Sequence, residues 1–464
     1  MKMALKQSEN LLSNDIIEYS EEIIEELFGA KLPANWNDLK RDEKSELTYR
    51  WVRDAFPNVP ESLVPITAGL SVDGDSGNSM EEKPVWLDRE KLARGQKFAQ
   101  DNIFGIYFSV LLTLFGSVSF DEGLKPIIAT RKSSEPYTAF KRYLSTSVRI
   151  RNWYTTDPWT KGTPAYNDMK AVRRIHTIIR HKINAMSDEE MTKAATIENP
   201  LSPTRNIILQ DFRSTCPVTL PGQCPFAVKS QGPVKLKRMH QCEMAVVQGG
   251  FVCLVILYPQ AIGIHGATDE QLDDFCYVWR CIGYLLGIED EFNFCRGSFD
   301  DIKQRSVDFL NLWIKANFRD ITPEFEHMLR CLIAGSSYYL ADISYEESLL
   351  YLTELMDLDM PRLRSALSNG DWIKHKFMKF MMQYAMRVPQ IKIFLNAQIN
   401  KSMNDALKFT DVEHTKLQKK SSQLLLSNTS KNKSRNIFNH YKIFETSLIV
   451  ILLSFVFKFV LNEV

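Results

Sequence analysis

The sequence shows no excess of charge of either sign. Its 464 residues include 57 Lys and Arg against 56 Asp and Glu, which gives a formal net charge of +1 at pH 7. Bulk charge therefore gives no argument for a nucleic-acid partner, and we expect none. Any electrostatic function must come from a local cluster of charges.

Several catalytic motifs are also missing from the sequence. Without G-x-S-x-G, G-x-x-x-x-G-K-[ST] or G-x-G-x-x-G, the usual arguments for a serine hydrolase, a P-loop NTPase or a dinucleotide enzyme fall away. The histidines form no H-E-x-x-H pattern, which removes the same argument for a zinc hydrolase. The eight cysteines contain no C-x-x-C pair. We expect them to be buried, reduced thiols rather than a metal site.

Strand-like alternation with hairpin turns is nearly absent, whereas apolar residues at three- and four-residue spacing are frequent. This periodicity predicts an all-α fold. Two strongly apolar segments, 102–116 and 243–259, are interpreted as central helices of a bundle whose core can enclose a large apolar ligand. The proline-rich connections 57–84 and 200–233 are predicted to be irregular loops within one domain.

The C-terminal end carries an apolar run of sixteen residues, 446–461, with one charge, Lys458. At about 1.5 Å per residue this run spans roughly 24 Å of a roughly 30 Å hydrocarbon core, and extending it back to Ile443 adds about one turn. We expect a membrane anchor over 443–461, with a buried or interfacial helix as the alternative. The polar, basic stretch 416–442 is predicted to be a flexible tether that keeps the preceding domain on the cytosolic side.

Cations are concentrated around one histidine. Between Lys141 and Lys182 stand ten Lys and Arg residues against two acids. On a helix, Arg173, His176 and Arg180 follow i, i+3 and i+7 spacing, so they share one face. Apolar packing beside this face is expected from four isoleucines, Ile175, Ile178, Ile179 and Ile183.

Upstream of this helix, Arg142 and Thr146 stand at i and i+4, where a guanidinium and a hydroxyl can point at the same object. An imidazole, several guanidiniums, a hydroxyl and an apolar cavity together suit haem binding, because nitrogen ligates the iron and cations pair with the propionate carboxylates. A basic phosphate pocket is one alternative. A solvated basic face with a core histidine is another, and spacing alone leaves all three open.

Five segments of the chain together carry a family resemblance. They are LARGQKFAQDNIFGIYFS (92–109), RYLSTS (142–147), VRRIHTIIR (172–180), QCEMAVVQGGF (241–251) and WRCIGYLLGIEDEFN (279–293). In this order they resemble the ER-bound oxygenase mpaB/mpaB′/rubber oxygenase catalytic domain, a family that includes bacterial latex-clearing proteins. The feature associated with the family's haem pocket is the Arg-x-x-x-Thr pair with a histidine thirty residues after the threonine.

The resemblance implies an all-helical, globin-like fold that encloses haem b, with His176 as the proximal iron ligand. Arg142 and Thr146 would occupy the family's catalytic pocket positions, where they support the haem or bound oxygen. Pairing of Arg173 and Arg180 with the haem propionates is our own prediction. Characterised relatives cleave isoprenoid double bonds with dioxygen, in rubber or in a prenylated intermediate. We therefore expect an oxidoreductase that acts on a hydrophobic, prenyl-type lipid at the membrane of the endoplasmic reticulum.

The sequence departs from some rubber-cleaving members at Ser145, where they carry a lysine that can close the distal iron position. An open or water-filled sixth position is the resulting hypothesis. Two other functions stay open: a non-enzymatic, tail-anchored protein that binds a lipid or a partner, and a haem protein that senses or transfers electrons. The predicted organisation is an N-terminal extension and loop over 1–87, the catalytic core over 88–320, helices packed on that core over 321–415, then the tether and the anchor.

Overall fold

The computed structural model describes residues 19–228 and 238–429. Within these ranges the chain is helical and contains no β-strand, apart from one isolated antiparallel bridge between Tyr19 and Val72. The all-α prediction is confirmed for this part of the chain. The described residues up to Gln418 form one compact unit, and residues 419–429 are assigned to a second. The anchor predicted at the C-terminal end lies outside the described residues.

The first half of the fold carries the helices that later form the candidate site. These helices are α1 (Glu21–Phe28), α2 (Arg41–Ala55), α3 (Val64–Ala68), α4 (Arg89–Asp101), α5 (Ile103–Ser117), α6 (Asp121–Ala129), α7 (Pro136–Thr155), α8 (Pro164–Asn184), α9 (Asp188–Ala195), α10 (Arg205–Thr215) and α11 (Pro225–Val228).

The second half continues with α12 (Gln241–Leu257), α13 (Asp269–Leu285), α14 (Phe299–Asp308), α15 (Lys315–Asn317), α16 (Pro323–Ser336), α17 (Tyr345–Leu355), α18 (Pro361–Ala366), α19 (Asn369–Gln383), α20 (Pro389–Ala406) and α21 (Asp411–Thr429). A π-helical segment, Phe309–Ile314, joins α14 to α15. Short 3-10 turns lie at Trp36–Asp38, Glu61–Leu63, Gly69–Ser71, Pro259–Ile262, Asp290–Phe292, Phe318–Asp320 and Ala385–Arg387.

Local sequence fixes where α8, the helix of His176, begins. The Thr163 side chain accepts a hydrogen bond from the backbone N–H of Tyr166, and Pro164 takes the first helical position. A capping side chain satisfies an N–H group that has no partner inside the helix, and proline loses nothing at a position where its missing N–H is not needed. The register of α8, and with it the direction of the His176 side chain, follows from this start.

The two strongly apolar segments form α5 and α12, which pack against each other. Most residues of both helices are buried. Their approach is close, because a Cβ atom built at Gly250 of α12 would lie only 2.9 Å from Oγ of Ser117 at the end of α5. The prediction that these segments are central helices of the bundle is confirmed.

The helical path from α4 to α5 is broken at Asn102. The Asn102 side-chain amide donates to the Phe98 carbonyl, which in an uninterrupted helix would accept from the backbone N–H of residue 102. The two helices meet at an 85° bend. Among the described residues no single helix combines the length and apolar composition needed to cross a membrane, and this bent pair meets the criterion only when its two helices are taken together.

Helices α4 and α13 cross at Gly95. A Cβ atom built at Gly95 would lie 2.0 Å from the carbonyl oxygen of Asp274, which is far inside van der Waals contact. The Asp274 carboxylate also accepts hydrogen bonds from Nε and Nη2 of Arg94, at 2.8 and 3.0 Å. The absence of a side chain at position 95 therefore allows the backbones to approach.

Two predicted loops contain more helix than expected. The connection 57–84 includes α3, and the connection 200–233 includes α10. In α10 the buried residues Ile208, Leu209 and Phe212 form one apolar stripe, which packs the helix in spite of the prolines on either side. The basic stretch predicted to be a flexible tether from residue 416 also differs, because α21 is helical through Thr429.

All eight cysteines are buried and none forms a disulfide. This agrees with the expectation of buried thiols. Burial raises the pKa of the Cys253 thiol to about 12 and that of Cys216 to about 12. Such thiols stay protonated at neutral pH and are poor nucleophiles.

Candidate functional site

Helices α7 and α8 bring the predicted site residues together. Arg142 and Thr146 lie on α7, whereas Arg173, His176 and Arg180 lie on α8. The two helices pack against each other. Both Arg180 and Arg142 act electrostatically on the His176 imidazole, so the residues proposed from two separate sequence segments form one constellation.

His176 is partly exposed as a residue, but its Nδ1 atom is buried and has no hydrogen-bond partner within residues 19–228 and 238–429. Burial, and after it the positive charges of Arg180 and Arg142, lowers the pKa of the imidazole to about 4, although the Asp75 carboxylate acts in the opposite direction. The ring is therefore neutral at physiological pH. A neutral imidazole keeps the lone pair that metal ligation requires.

Arg173 and Arg180, predicted to pair with propionates, have carboxylate partners within the chain. Nε of Arg173 donates to Oδ1 of Asp75 at 3.0 Å, and Nη1 donates to the Asn78 carbonyl at 2.7 Å. Nε of Arg180, a buried side chain, lies 3.1 Å from Oδ1 of Asp73. The positive charge of these two arginines is thus already balanced.

The acidic partners belong to the segment VDGDSGN before α4, which sequence reasoning did not single out. Asp75 is held in a tight turn: its N–H donates to Oδ1 of Asp73, and its own Oδ1 accepts from the N–H of Gly77, both at 3.0 Å. The turn is tied to the core by a bond from the Ser76 N–H to the Gly287 carbonyl, at 2.9 Å. The sequence shows here two acids separated by one glycine, but this pattern does not reveal which helix the loop contacts.

Electrostatics in this turn favour the ion pair. Burial opposes ionisation of Asp75, but the hydrogen bond and charge of Arg173 prevail, and the pKa of the carboxyl lies below its ordinary value. Oγ1 of Thr177 is also 3.3 Å from Oδ2 of Asp75. The Asp75 turn therefore holds α8 on the His176 face.

Arg142 differs from the other two arginines of the site. Its Nη1 donates to the Ser133 hydroxyl at 3.0 Å, and its guanidinium lies 5.8 Å from the Tyr143 ring centroid. Within the described residues it has no carboxylate partner. The Thr146 hydroxyl donates to the Arg142 carbonyl at 3.1 Å, which leaves its oxygen able to accept a further bond. Arg142 is thus the cation of this site whose charge is not balanced by an acid.

The isoleucines of α8 do not all lie beside His176. Ile175 and Ile178 are 38% and 57% exposed, because helical spacing places them away from the face that carries the histidine. Ile179 and Ile183 follow His176 at i+3 and i+7 and share its face, and Ile183 is buried. The predicted apolar packing is therefore correct for two of the four residues.

A separate apolar cavity lies between α5, α12 and the π-helical segment. Its free volume is about 10 Å³, room for at most about one water molecule, and its walls include Leu112, Gly116, Gly250 and Leu254. Ligand pockets usually enclose about 300 to 1,000 Å³, and none of the residues that line this cavity belongs to α7 or α8. The cavity would have to widen before a prenyl chain could enter.

Comparison with known proteins gives one structural likeness. No protein-family model matches the chain, and no curated protein matches it. The fold is similar to the solved structure of latex clearing protein LCP in its closed state, with a TM-score of 0.44 and 13% sequence identity over 83% of this chain and 95% of that chain. A likeness of this size carries no functional argument, so membership of the oxygenase family stays a prediction from the sequence.

Proposed function

We propose that the protein is a haem-dependent oxygenase that cleaves a carbon–carbon double bond in a hydrophobic, prenyl-type lipid. The observation that carries the proposal is the His176 imidazole. It is neutral, and in the described part of the chain its buried Nδ1 is without a hydrogen-bond partner. Buried polar groups in folded proteins are nearly always paired, so an unpaired imidazole beside an unbalanced guanidinium is an arrangement suited to a bound ligand.

The residues present fit a haem in two respects. An imidazole held neutral by burial is a suitable axial ligand, and His176 has no competing bond among the described residues. Arg142, which lacks a carboxylate partner, would pair with a haem carboxylate. Arg173 and Arg180 could join in this role only by sharing their charge with Asp75 and Asp73, and we assign them chiefly to fixing α8.

When bound, haem iron supplies the chemistry that activates dioxygen. The chain's own part is to orient the reactants. His176 would hold the iron from one side, and the Thr146 hydroxyl, whose proton is bonded to the Arg142 carbonyl, would accept a hydrogen bond from a group in the pocket. The buried helices α5 and α12 would exclude water from the prenyl chain.

Location completes the proposal. We assign the catalytic domain to the cytosolic side of the endoplasmic reticulum membrane, held there by the C-terminal segment 443–461, which lies outside the described residues. A lipid substrate dissolved in that membrane would then be within reach of the domain.

The test is the visible absorption spectrum of the full chain, expressed with haem precursor and purified in detergent. We expect a Soret band that is absent from His176→Ala and retained in His181→Ala, a matched variant because His181 lies on the same helix and is exposed. Oxygen consumption with a prenyl lipid should follow the Soret band across the variants.

A folded but colourless wild-type chain would contradict the haem proposal. In that case the alternative in which the fold binds a lipid or a partner without iron becomes the better explanation. A Soret band that survives His176→Ala would leave haem in place but assign its ligand elsewhere.

A further inference from the structure

Residues 373–394, which span most of α19 and the start of α20, have an unusual composition. This stretch contains five Lys and Arg residues and no Asp or Glu. It also contains six of the fifteen large hydrophobic side chains that are exposed in the described part of the chain: Ile373, Phe380, Tyr384, Val388, Ile393 and Phe394. Exposed apolar groups mixed with cations are not expected of an ordinary solvated surface.

One side of this stretch is fixed to the protein core. His375 is fully buried, and its Nε2 lies 3.2 Å from the Glu354 carboxylate. Met382 and Met386 are buried as well and pack in the core. The remaining side of the stretch is therefore presented outward in a fixed orientation.

The outward side is continuous through its centre. The rings of Phe380 and Tyr384 stack with centroids 6.1 Å apart, and the Arg387 guanidinium lies 5.3 Å from the Tyr384 ring centroid. Ile373 and Lys376 lie on the same face of α19 at i−7 and i−4 from Phe380. We call these five residues, together with Val388, Ile393 and Phe394 on the following segment, the basic apolar face.

We propose that the basic apolar face docks on the surface of an anionic phospholipid membrane. Cations attract acidic headgroups, and aromatic and aliphatic side chains beside them enter the boundary between headgroups and acyl chains. Lys376 and Arg387 are exposed and stand between the apolar residues, as this mode of binding requires. The inference does not depend on haem, so its failure would leave the proposed oxygenase activity untouched.

An acidic protein that encloses a basic helix in a groove fits the basic apolar face less well. Such a partner encloses an amphipathic helix in a groove, whereas α19 is held to the core by His375 and the helical path is interrupted by the turn Ala385–Arg387 before α20 starts at Pro389. A flat membrane surface needs only the exposed side. The structure therefore favours a lipid surface over a groove.

The buried cysteines make a site-specific test possible in the full chain. Because all eight native thiols are buried, a cysteine introduced at Ile373 or Ile393 can be labelled with a polarity-sensitive fluorophore. Val85→Cys is the matched control, since Val85 is fully exposed and lies far along the chain from this face. Vesicles of phosphatidylcholine, with or without phosphatidylserine, are then added.

We expect labels at 373 and 393 to shift to shorter wavelength with phosphatidylserine vesicles, while the label at 85 does not. In the double variant Lys376→Glu/Arg387→Glu, the labels at 373 and 393 should need at least about tenfold more phosphatidylserine vesicles for the same shift. In the charge-conserving Lys376→Arg/Arg387→Lys they should respond as in the parent chain, which separates charge from local damage.

Three results would overturn the proposal. If the chain floats with vesicles while the labels at 373 and 393 behave like the label at 85, another segment carries the binding. If neutral and anionic vesicles shift the labels equally and charge reversal has no effect on the shift, the cations do not contribute to binding. If polyglutamate shifts the labels and vesicles do not, the face binds an acidic protein.

Discussion

Two histidines of this molecule, His176 and His327, have the same direction of pKa shift and opposite hydrogen bonding. Burial lowers the pKa of both His176 and His327. Nδ1 of His327 accepts from the Leu201 N–H at 2.8 Å, so its Nε2 carries the proton and donates to the Ser134 carbonyl at 2.9 Å. Nδ1 of His176 has no hydrogen-bond partner among the residues that the structure describes.

This difference in hydrogen bonding separates a histidine that stabilises the fold from a histidine that can bind a ligand. His327 fastens the loop at Leu201 and the turn at Ser134 to α16, and both of its nitrogens are used in doing so. His176 fastens nothing through its buried nitrogen. Burial and a lowered pKa therefore do not mark a ligand by themselves. A buried Nδ1 without a partner also occurs at His375, whose Nε2 is bonded to the Glu354 carboxylate. His176 differs from both core histidines because neither of its ring nitrogens is bonded to another of the described residues.

The largest expected effect is on stability. His327→Ala should lower the free energy of unfolding by about 2 to 4 kcal/mol, because it leaves the Leu201 N–H without its acceptor and opens a cavity. His176→Ala should cost less than about 1 kcal/mol in the haem-free chain at neutral pH. Denaturant unfolding of both haem-free variants measures the contrast, and equal losses would place His176 among the core histidines.

The arginines offer a second contrast. Arg173→Gln should cost about 2 kcal/mol, since it leaves the Asp75 carboxylate partly buried without its cation. Arg142→Gln should cost less than about 1 kcal/mol, because only the bond to the Ser133 hydroxyl is lost. With haem supplied, Arg142→Gln should release haem faster than Arg142→Lys, which keeps the charge. A large stability loss for Arg142→Gln would assign this residue to the framework.

Acid should affect His176 and Asp75 in different pH windows. The folded pKa of His176 is about 4 against an ordinary value of 6.5, so the unfolded chain binds its proton first and stability falls as pH drops from about 6.5 to about 4. This loss, of about 1 to 2 kcal/mol, should be missing in His176→Ala. The folded pKa of Asp75 is also lowered, so its contribution holds above its unfolded pKa of about 3.9 and is lost below it. Urea titrations at a series of pH values, with Asp75→Asn as the second variant, resolve the two windows.

The smallest expected effect concerns two threonines on neighbouring helices. Thr177→Val should cost about 1 kcal/mol, because the Thr177 hydroxyl contacts the Asp75 carboxylate. Thr146→Val should stay within about 0.5 kcal/mol, since its bond to the Arg142 carbonyl only repeats one that the helix backbone already makes. Thermal unfolding of the two variants measures this difference in stability. Unchanged oxygen consumption in haem-loaded Thr146→Val would remove Thr146 from the proposed chemistry.

Much of the α7 and α8 arrangement could be predicted from the sequence, because helical spacing alone places Arg173, His176 and Arg180 on one face. The partners Asp73 and Asp75 could not. They lie about a hundred positions earlier in a loop, and no local pattern records which helix a loop will touch. The break between α4 and α5 at Asn102 is likewise not visible in the apolar periodicity, because it depends on one side-chain amide competing for a backbone carbonyl.

The crossing of α4 and α13 at Gly95 has a consequence for how this sequence can evolve. No side chain fits between α4 and the Asp274 carbonyl, so point mutation can explore this position only by separating two helices of the core. A mutation at His176, by contrast, is expected to cost the haem-free fold little. Descendants that no longer bind the ligand could therefore replace His176 and still keep Gly95. Substitution at position 176 would then record the loss of activity, and substitution at position 95 the loss of the fold.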